Sequence, residues 1–328
     1  MKRFILKVLI LMVVNIVIYN VIMYLLYNKS FLESACTAPR NGEYDFLLMG
    51  TSHTQVFYDH IVEKIIQKKM KNLATGAAGV VPEKIFLTCF FEANNKTNQV
   101  IYFLDPWALY SSRWNEDNYI LQQEGIEYSY LSKLIENKVS TKVVFNYFRD
   151  KLTDNSDKFM RELLMPKTIS PEKIKPVENL QPDNKEIPSE DSAKVEAGKR
   201  EARMAQKTPE EQQLANQAED KQRLEISYNE GLSDKNFSKY SKHVEQIILL
   251  AKKNDAAISF IIPPTLMGEM PGHDNVIKLL SELKKKYKTE YFDFALEMQK
   301  QEFYWDREHL NVKGVEYFTQ NYLKDLVK

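Results

Sequence analysis

Short apolar runs alternate along this chain with longer segments whose apolar residues recur at helical spacing. The short runs predict strands at residues 44–50, 71–75, 99–105, 256–262 and 291–294. The longer segments predict helices at residues 57–70, 82–93, 238–253, 274–287 and 312–326. Because parallel strands need helix-sized crossover connections, this order predicts an α/β fold in which helices cover both faces of a parallel sheet.

Side chains able to do chemistry follow the predicted strands and do not precede them. Ser52 follows the first strand, Gly76 the second and Asp105 the third. Asp306 and His309 follow the last strand by a loop. Since ligands of parallel sheets collect at the carboxyl ends of the strands, we expect these residues to share one site.

Three residues of this set have the chemistry of a nucleophile and its base. A serine hydroxyl is a weak nucleophile near neutral pH, so a base must take the proton of Ser52, and His309 is the candidate. Asp306, one turn earlier, would bind the other ring nitrogen and fix the tautomer. The backbone N–H of Ser52 would stabilise an oxyanion on the reacting carbonyl group.

Each of the two motifs also has a purely structural interpretation. Ser52 would be an ordinary helix N-cap, a role that Thr51 or Thr54 would fill equally well. Asp306 and His309 would belong to a solvated loop in which the aspartate caps a helix. We favour the catalytic interpretation because an alternating fold brings both motifs to one edge of the sheet.

Residues 1–28 predict a membrane anchor. Residues 4–27 are apolar apart from one lysine and two asparagines, a length that crosses the hydrocarbon core as a helix. Lys2, Arg3 and Lys7 cluster at its start, which places the N-terminus in the cytoplasm and the rest of the chain outside. The alternatives are a cleaved signal peptide, although no Ala-x-Ala site follows, and a lipoprotein signal ending at Cys36.

The rest of the chain divides into a polar tether, residues 29–43, and one domain, residues 44–328. The alternation is interrupted at about residues 119–235, which we interpret as an insertion with helical stretches. Residues 196–225 predict a solvated helix inside it. The alternative for residues 166–213 is a disordered linker, because few apolar side chains occur there to form a core.

Charge and cysteine content exclude several classes of function. The 45 basic and 45 acidic side chains balance, so the chain lacks the basic excess of a nucleic-acid partner. Neither the two cysteines nor His60, His243 and His273 have a metal-binding spacing, so we expect no metal or other cofactor. Cys89 lies in an apolar helical run, where a buried thiol is the ordinary outcome; a disulfide with Cys36 is the alternative.

Two short blocks resemble a known superfamily. The triplet Gly-Thr-Ser at residues 50–52 is similar to the Gly-Asp-Ser block of the SGNH/GDSL hydrolase-like superfamily. The Asp-x-x-His sequence at residues 306–309 is similar to its last block. The resemblance is to scattered blocks within residues 44–105 and 256–327.

The resemblance implies a three-layer α/β/α sandwich and an esterase, lipase or acyltransferase activity. It makes Ser52 the nucleophile, His309 the base and Asp306 the partner of the base. It also implies that a glycine N–H from the second block contributes to the oxyanion hole. Gly76 is favoured for this role over Gly79 because it lies nearer the predicted strand end.

The chain departs from the superfamily pattern at two points. Thr51 replaces the usual aspartate, and the third block lacks its oxyanion-binding asparagine because that strand ends in Asp105-Pro106-Trp107. The pattern is similar to a membrane-anchored, extracytoplasmic branch, which includes DltD-like proteins of teichoic-acid D-alanylation and polysaccharide O-acetylation proteins. That resemblance implies a membrane-bound O-acyltransferase as partner and a cell-envelope glycan or teichoic acid as acceptor.

We therefore expect an extracytoplasmic, membrane-anchored serine acyltransferase or esterase that modifies an envelope polymer. The alternatives are a non-catalytic scaffold or polymer-binding subunit and a secreted lipase. His53, Asp105, Trp107 and Trp305 are candidate substrate-binding residues. Asp105 would orient His53 or cap a turn, and the tryptophans would stack on sugars or pack in the core.

Overall fold

The structure, a computed structural model, describes residues 40–117, 128–147 and 207–328, together with positions 14, 15, 121 and 149. Nearly all of the predicted anchor and tether, and the middle of the predicted insertion, therefore lie outside the described residues. Among the helices that are described, none has the length and apolar character needed to cross a bilayer.

Strands and helices alternate in the order that the sequence predicts. The strands are β1 (Glu43–Gly50), β2 (Met70–Asn72), β3 (Lys96–Phe103), β4 (Ala257–Ile262) and β5 (Glu290–Asp293). The helices include α1 (Ser52–Gln55), α2 (Asp59–Ile66), α3 (Val80–Glu92), α4 (Ser112–Asn115), α5 (Tyr128–Glu136), α6 (Pro209–Ser227), α7 (Asp234–Lys253), α8 (His273–Tyr287), α9 (Val312–Phe318) and α10 (Lys324–Leu326).

The five strands of the described chain form one parallel sheet in the order β2-β1-β3-β4-β5. The α/β class predicted from the sequence is therefore confirmed. The chain moves outward in one direction from β1 to β2 and in the other from β3 onward. That reversal opens a crevice at the carboxyl ends of β1 and β3, where doubly wound sheets bind ligands.

Two hydrophobic cores lie on opposite faces of the sheet, an arrangement consistent with a three-layer sandwich. Leu47 and Met49 of β1 face the core built with α3, α7 and α8. Phe46 and Leu48 face the core built with α2 and α9. Because β1 is buried on both faces, its sequence is a continuous apolar run instead of an alternating one.

Several element boundaries differ from the prediction, among them those of β2 and α2. β2 was predicted at residues 71–75 but ends at Asn72, although the backbone N–H groups of Leu73 and Thr75 still donate to β1 at 2.8 and 3.1 Å. The helix predicted at residues 57–70 is α2 alone, because Gln67 adopts the left-handed conformation that ends a helix.

The predicted solvated helix of the insertion corresponds to α6. Thr208 and Glu211 form a capping box at its start, and none of its residues is buried. Its described part begins later than predicted, since residues 196–206 lie outside the described residues. The last predicted helix, residues 312–326, is α9 and α10 joined by a π-helical turn at Thr319–Leu323.

The turn between β1 and α1 requires glycine at residue 50. Gly50 has φ of 151°, and a β-carbon there would lie 2.8 Å from the carbonyl oxygen of Phe103 on β3. A side chain would therefore push β1 away from β3 at the crevice. The turn lets the chain leave β1 abruptly and places Ser52 at the end of the sheet.

Cys89, near the end of α3, is disulfide-bonded. The prediction of a buried free thiol is therefore wrong, and the alternative prediction of a disulfide is correct. The chain contains one other cysteine, Cys36, which lies outside the described residues.

Because of His243, we expect the protein to lose stability in acid. Burial lowers the pKa of this α7 histidine to about 4, assisted by the charges of Lys84 and Lys239. Its ordinary pKa is 6.5, so below that pH the unfolded chain binds a proton that the folded chain does not. We expect the unfolding free energy to fall by about 1–2 kcal/mol from pH 6.5 to 4, after allowance for partial exposure.

Urea denaturation of the full-length protein and of His243→Gln at these two pH values measures this contribution. The variant should lose less stability on acidification than the parent. His60→Gln controls for the loss of an exposed imidazole. Equal acid sensitivity of the parent and His243→Gln would show that this histidine does not contribute.

Candidate active site

The Ser52 hydroxyl is available because its neighbour caps the helix. Thr51 is the N-cap of α1, and its Oγ1 accepts a hydrogen bond from the backbone N–H of His53 at 3.3 Å. The capping interpretation therefore applies to Thr51 and not to Ser52. The Oγ of Ser52 instead lies 2.8 Å from Nε2 of His309, 257 residues away in the chain.

The loop before α9 holds His309 and Asp306 together. Nδ1 of His309 lies 2.8 Å from Oδ2 of Asp306. The other carboxylate oxygen accepts hydrogen bonds from the backbone N–H groups of Glu308 and His309, each at 2.7 Å. These bonds fix the aspartate within a tight turn, so the ring nitrogen that faces Ser52 is Nε2.

Asp306 is held in the ionised form. Burial alone raises the pKa of this carboxyl group, but the His309 ring and the Arg223 guanidinium, with the hydrogen bonds it accepts, outweigh that effect. Its pKa is therefore well below the usual range. The group is therefore a carboxylate at neutral pH.

Arg223 of α6 is the site residue that sequence reasoning missed. Its guanidinium lies 3.0 Å from Oδ2 of Asp306 and 2.8 Å from Oε2 of Glu308. It also binds Glu219 one turn earlier on α6, at 2.9 Å. No sequence signal marks Arg223, because it is one of many charged residues on a solvated helix.

A second pair of opposite charges ties α6 to the same loop. Arg307 donates to both carboxylate oxygens of Asp220 at 2.7 and 2.9 Å, and to the carbonyl oxygen of Leu266 at 3.0 Å. Two-point contacts of this kind fix orientation as well as distance. The insertion therefore contributes directly to the geometry around the catalytic candidates.

A second histidine–aspartate pair lies beside the first. Nδ1 of His53 is 2.5 Å from Oδ1 of Asp105, and Oγ1 of Thr51 donates to the other oxygen at 2.5 Å. Burial lowers the pKa of His53, but the charge and hydrogen bond of Asp105, with Glu308 and Asp306, raise it to about 9. Of the two roles expected for Asp105, the structure has the first, orientation of His53.

Gly76 lies beside Ser52, whereas Gly79 does not. A β-carbon on Gly76 would be 4.0 Å from the Cβ of Ser52 and 2.9 Å from Oε1 of Gln55. One on Gly79 would instead meet the buried side chain of Asn115. Within the described part of the chain, the backbone N–H groups of Ser52 and Gly76 donate no hydrogen bond. Both remain available to a ligand.

The two tryptophans expected to contact substrate have different environments. Trp305 is half-buried and stacks on His309, with ring centroids 5.0 Å apart and an angle of 22° between the rings. Trp107 is only 5% exposed and packs edge-on against Trp114 in the core. Trp107 therefore has no free face for a sugar, and that expectation is corrected.

Comparison with protein-family models and with curated proteins finds no match for this chain. The resemblance to the SGNH/GDSL superfamily therefore stays a prediction. What the structure establishes is the geometry: Ser52, His309 and Asp306 in one hydrogen-bonded line, two unused N–H groups beside the serine, and a second histidine next to the first.

Proposed function

We propose that the protein is a serine acyltransferase or esterase that uses Ser52, His309 and Asp306. The observation that carries the proposal is the continuous line of contacts from Ser52 Oγ to His309 Nε2 and from His309 Nδ1 to Asp306 Oδ2, each 2.8 Å. Both distances are within proton-transfer range, and the three residue types occur in the order that nucleophilic catalysis requires.

The reaction follows from these contacts. Ser52 Oγ attacks the carbonyl carbon of an acyl donor while its proton moves to Nε2 of His309. Asp306 stabilises the imidazolium, which protonates the leaving group as the tetrahedral intermediate collapses and the bond between the carbonyl carbon and the leaving group breaks, so that the acyl group stays on Ser52. In the second step His309 takes a proton from an acceptor hydroxyl or from water while that oxygen attacks the acyl carbon. His309 then returns the proton to Ser52 Oγ as the ester bond to Ser52 breaks.

Three groups would bind the oxyanion of the tetrahedral intermediates. Among the described residues, the N–H groups of Ser52 and Gly76 donate no hydrogen bond, and the two residues are neighbours in space. Oε1 of Gln55 lies 2.9 Å from the position that a β-carbon on Gly76 would occupy, and rotation about the last bond of the side chain would place Nε2 there. Gln55 would thus replace the asparagine that the third block of the superfamily normally supplies.

The broader setting is also part of the proposal. We expect an SGNH-like three-layer sandwich behind an N-terminal membrane helix, facing the outside of the cell. The disulfide at Cys89 supports this location, because such bonds persist in oxidising compartments. Anchorage would raise the local concentration of a membrane-bound O-acyltransferase partner, with an envelope glycan or teichoic acid as the acceptor.

Covalent labelling tests the nucleophile without knowledge of the natural substrate. Full-length protein in detergent is treated with a fluorophosphonate and analysed by mass spectrometry. We expect one adduct, located on Ser52 and absent from Ser52→Ala. Ser281→Ala, which changes a serine hydrogen-bonded to Tyr291 on another part of the fold, should label like the parent.

Complementation tests the acceptor. A strain lacking the gene is given the parent or the Ser52→Ala gene, and O-acyl groups on its envelope polymers are measured by NMR. The parent should restore acylation and the variant should not. Full restoration by Ser52→Ala, with no fluorophosphonate adduct on the parent, would overturn the proposal and favour a polymer-binding subunit.

A further inference from the structure

Two histidines with the same kind of carboxylate support lie side by side at the site. Asp105 binds Nδ1 of His53 and Asp306 binds Nδ1 of His309, and the two rings have centroids 5.0 Å apart. A carboxylate on Nδ1 holds a proton there, so Nε2 is the nitrogen left to bind a metal, and a metal that binds His53 displaces the proton on that nitrogen. In metalloproteins the same carboxylate–histidine arrangement orients the ligating imidazoles.

Glu308 supplies a third potential ligand between them. Its Oε2 binds Arg223, whereas Oε1 has no hydrogen-bond partner among the described residues. One nitrogen of each histidine and one oxygen of Glu308 all lie within 4.8 Å of one another. His53 and Glu308 have no part in the proposed acyl transfer, so that chemistry does not explain why they converge here.

We propose that His53, Glu308 and His309 form a binding site for a divalent transition metal such as Zn²⁺. Two imidazoles and one carboxylate, with a fourth position left open, are a common ligand set for protein-bound zinc. Zinc bonds of about 2.0–2.1 Å require ligand atoms about 3.3 Å apart. Ligand atoms that are now up to 4.8 Å apart would therefore approach one another by up to about 1.5 Å.

The charges around the three ligands favour a cation. Asp105, Asp306 and Glu308 contribute three carboxylates, and the guanidinium of Arg223 balances one of them. Because Arg223 also pairs with Glu219, carboxylates outnumber cationic groups here, and a divalent ion reduces that excess of negative charge. The imidazole nitrogens select zinc over magnesium and calcium, which prefer oxygen ligands.

Metal binding and nucleophile activation exclude each other. Nε2 of His309 has one lone pair, which either accepts the Ser52 proton or binds the metal. Bound zinc therefore prevents His309 from activating Ser52, and removal of the zinc restores the activation. The inhibition of Ser52 by zinc rests on the proposed function, whereas the binding of zinc does not.

Calorimetry of the full-length protein tests the site. The protein, without a polyhistidine tag and freed of metal with EDTA, is titrated with ZnCl₂ and separately with MgCl₂. We expect one zinc per chain with micromolar or tighter affinity, and no magnesium binding. His53→Gln and Glu308→Gln should each weaken zinc binding at least tenfold, whereas Ser52→Ala and the distant His60→Gln should not.

Two variants are used because His53→Gln removes the partner of a buried aspartate and can unfold the protein. Glu308→Gln keeps an oxygen that accepts from Arg223, so it preserves the fold. Circular dichroism shows which variants remain folded, and only the zinc affinities of folded variants test the proposal. Parental zinc affinity in a folded Glu308→Gln or His53→Gln variant, or no zinc binding by the parent, overturns the proposal.

Labelling connects the metal to the serine. Stoichiometric zinc should slow the fluorophosphonate labelling of Ser52 at least tenfold, and EDTA should reverse the effect. Zinc binding without any labelling of metal-free protein would leave the metal site standing and overturn the acyl-transfer proposal. Labelling at the same rate with bound zinc would overturn the exclusion.

Discussion

Asp306→Asn should lower the rate of acylation of Ser52 by about 10³–10⁴-fold while leaving the fold intact. An asparagine amide that donates to Nδ1 of His309 forces the proton onto Nε2, and that nitrogen then cannot accept the proton of Ser52. The second-order rate of fluorophosphonate labelling in the presence of EDTA measures this effect and requires no natural substrate.

The loss is expected to be kinetic because the neighbouring charges stay compensated. Arg223 keeps its contacts with Glu308 and Glu219 when Asp306 becomes neutral. Asp220→Asn is the matched control, because it breaks the Arg307 ion pair of the same helix and loop but leaves the three catalytic candidates in place. A labelling rate within tenfold of the parent for Asp306→Asn would remove Asp306 from the mechanism.

Asp105→Asn should have the largest effect on stability, about 3–5 kcal/mol of unfolding free energy. The carboxylate is 1% exposed and accepts from both Thr51 and His53 at 2.5 Å. An amide cannot accept from both, and it leaves the charge that Asp105 stabilises on His53 without a partner. Urea denaturation at pH 7 measures the loss.

Asp293→Asn provides a matched comparison. His273 and Asp293 form another histidine–aspartate pair, at 2.9 Å, but this aspartate side chain is 35% exposed. Water compensates an exposed charge, so we expect a loss of at most about 1 kcal/mol there. Similar losses in the two variants would mean that burial of Asp105 does not set its contribution.

The sequence predicted the sheet and the ends of its strands because both leave a local mark. The run ending at Gly50 is apolar since β1 is buried on both faces, and Gly50 marks a turn that excludes a side chain. Because the carboxyl ends of parallel strands lie at one edge of a sheet, Ser52, Asp306 and His309 were expected to lie together. In the structure they are in contact.

Other parts of the site leave no such mark. Arg223 approaches Asp306 from a helix that has no buried residue, so neither periodicity nor composition separates it from its charged neighbours. A tryptophan at position 107 is compatible with stacking on a sugar and with packing in the core, and only its burial in the structure distinguishes the two roles. The pairing of Cys89 likewise depends on distance in space, which the spacing of two cysteines cannot give.

The contact of α6 with Asp306 divides the site between a buried sheet and a surface helix. The sheet determines where the nucleophile and the base lie, and its buried strands tolerate few substitutions. The countercharge of Asp306 is Arg223, on a helix without a fully buried residue, where a substitution at an exposed position disturbs no core. Mutation can therefore alter the charge around the catalytic carboxylate, or admit a new partner to it, without repacking the scaffold.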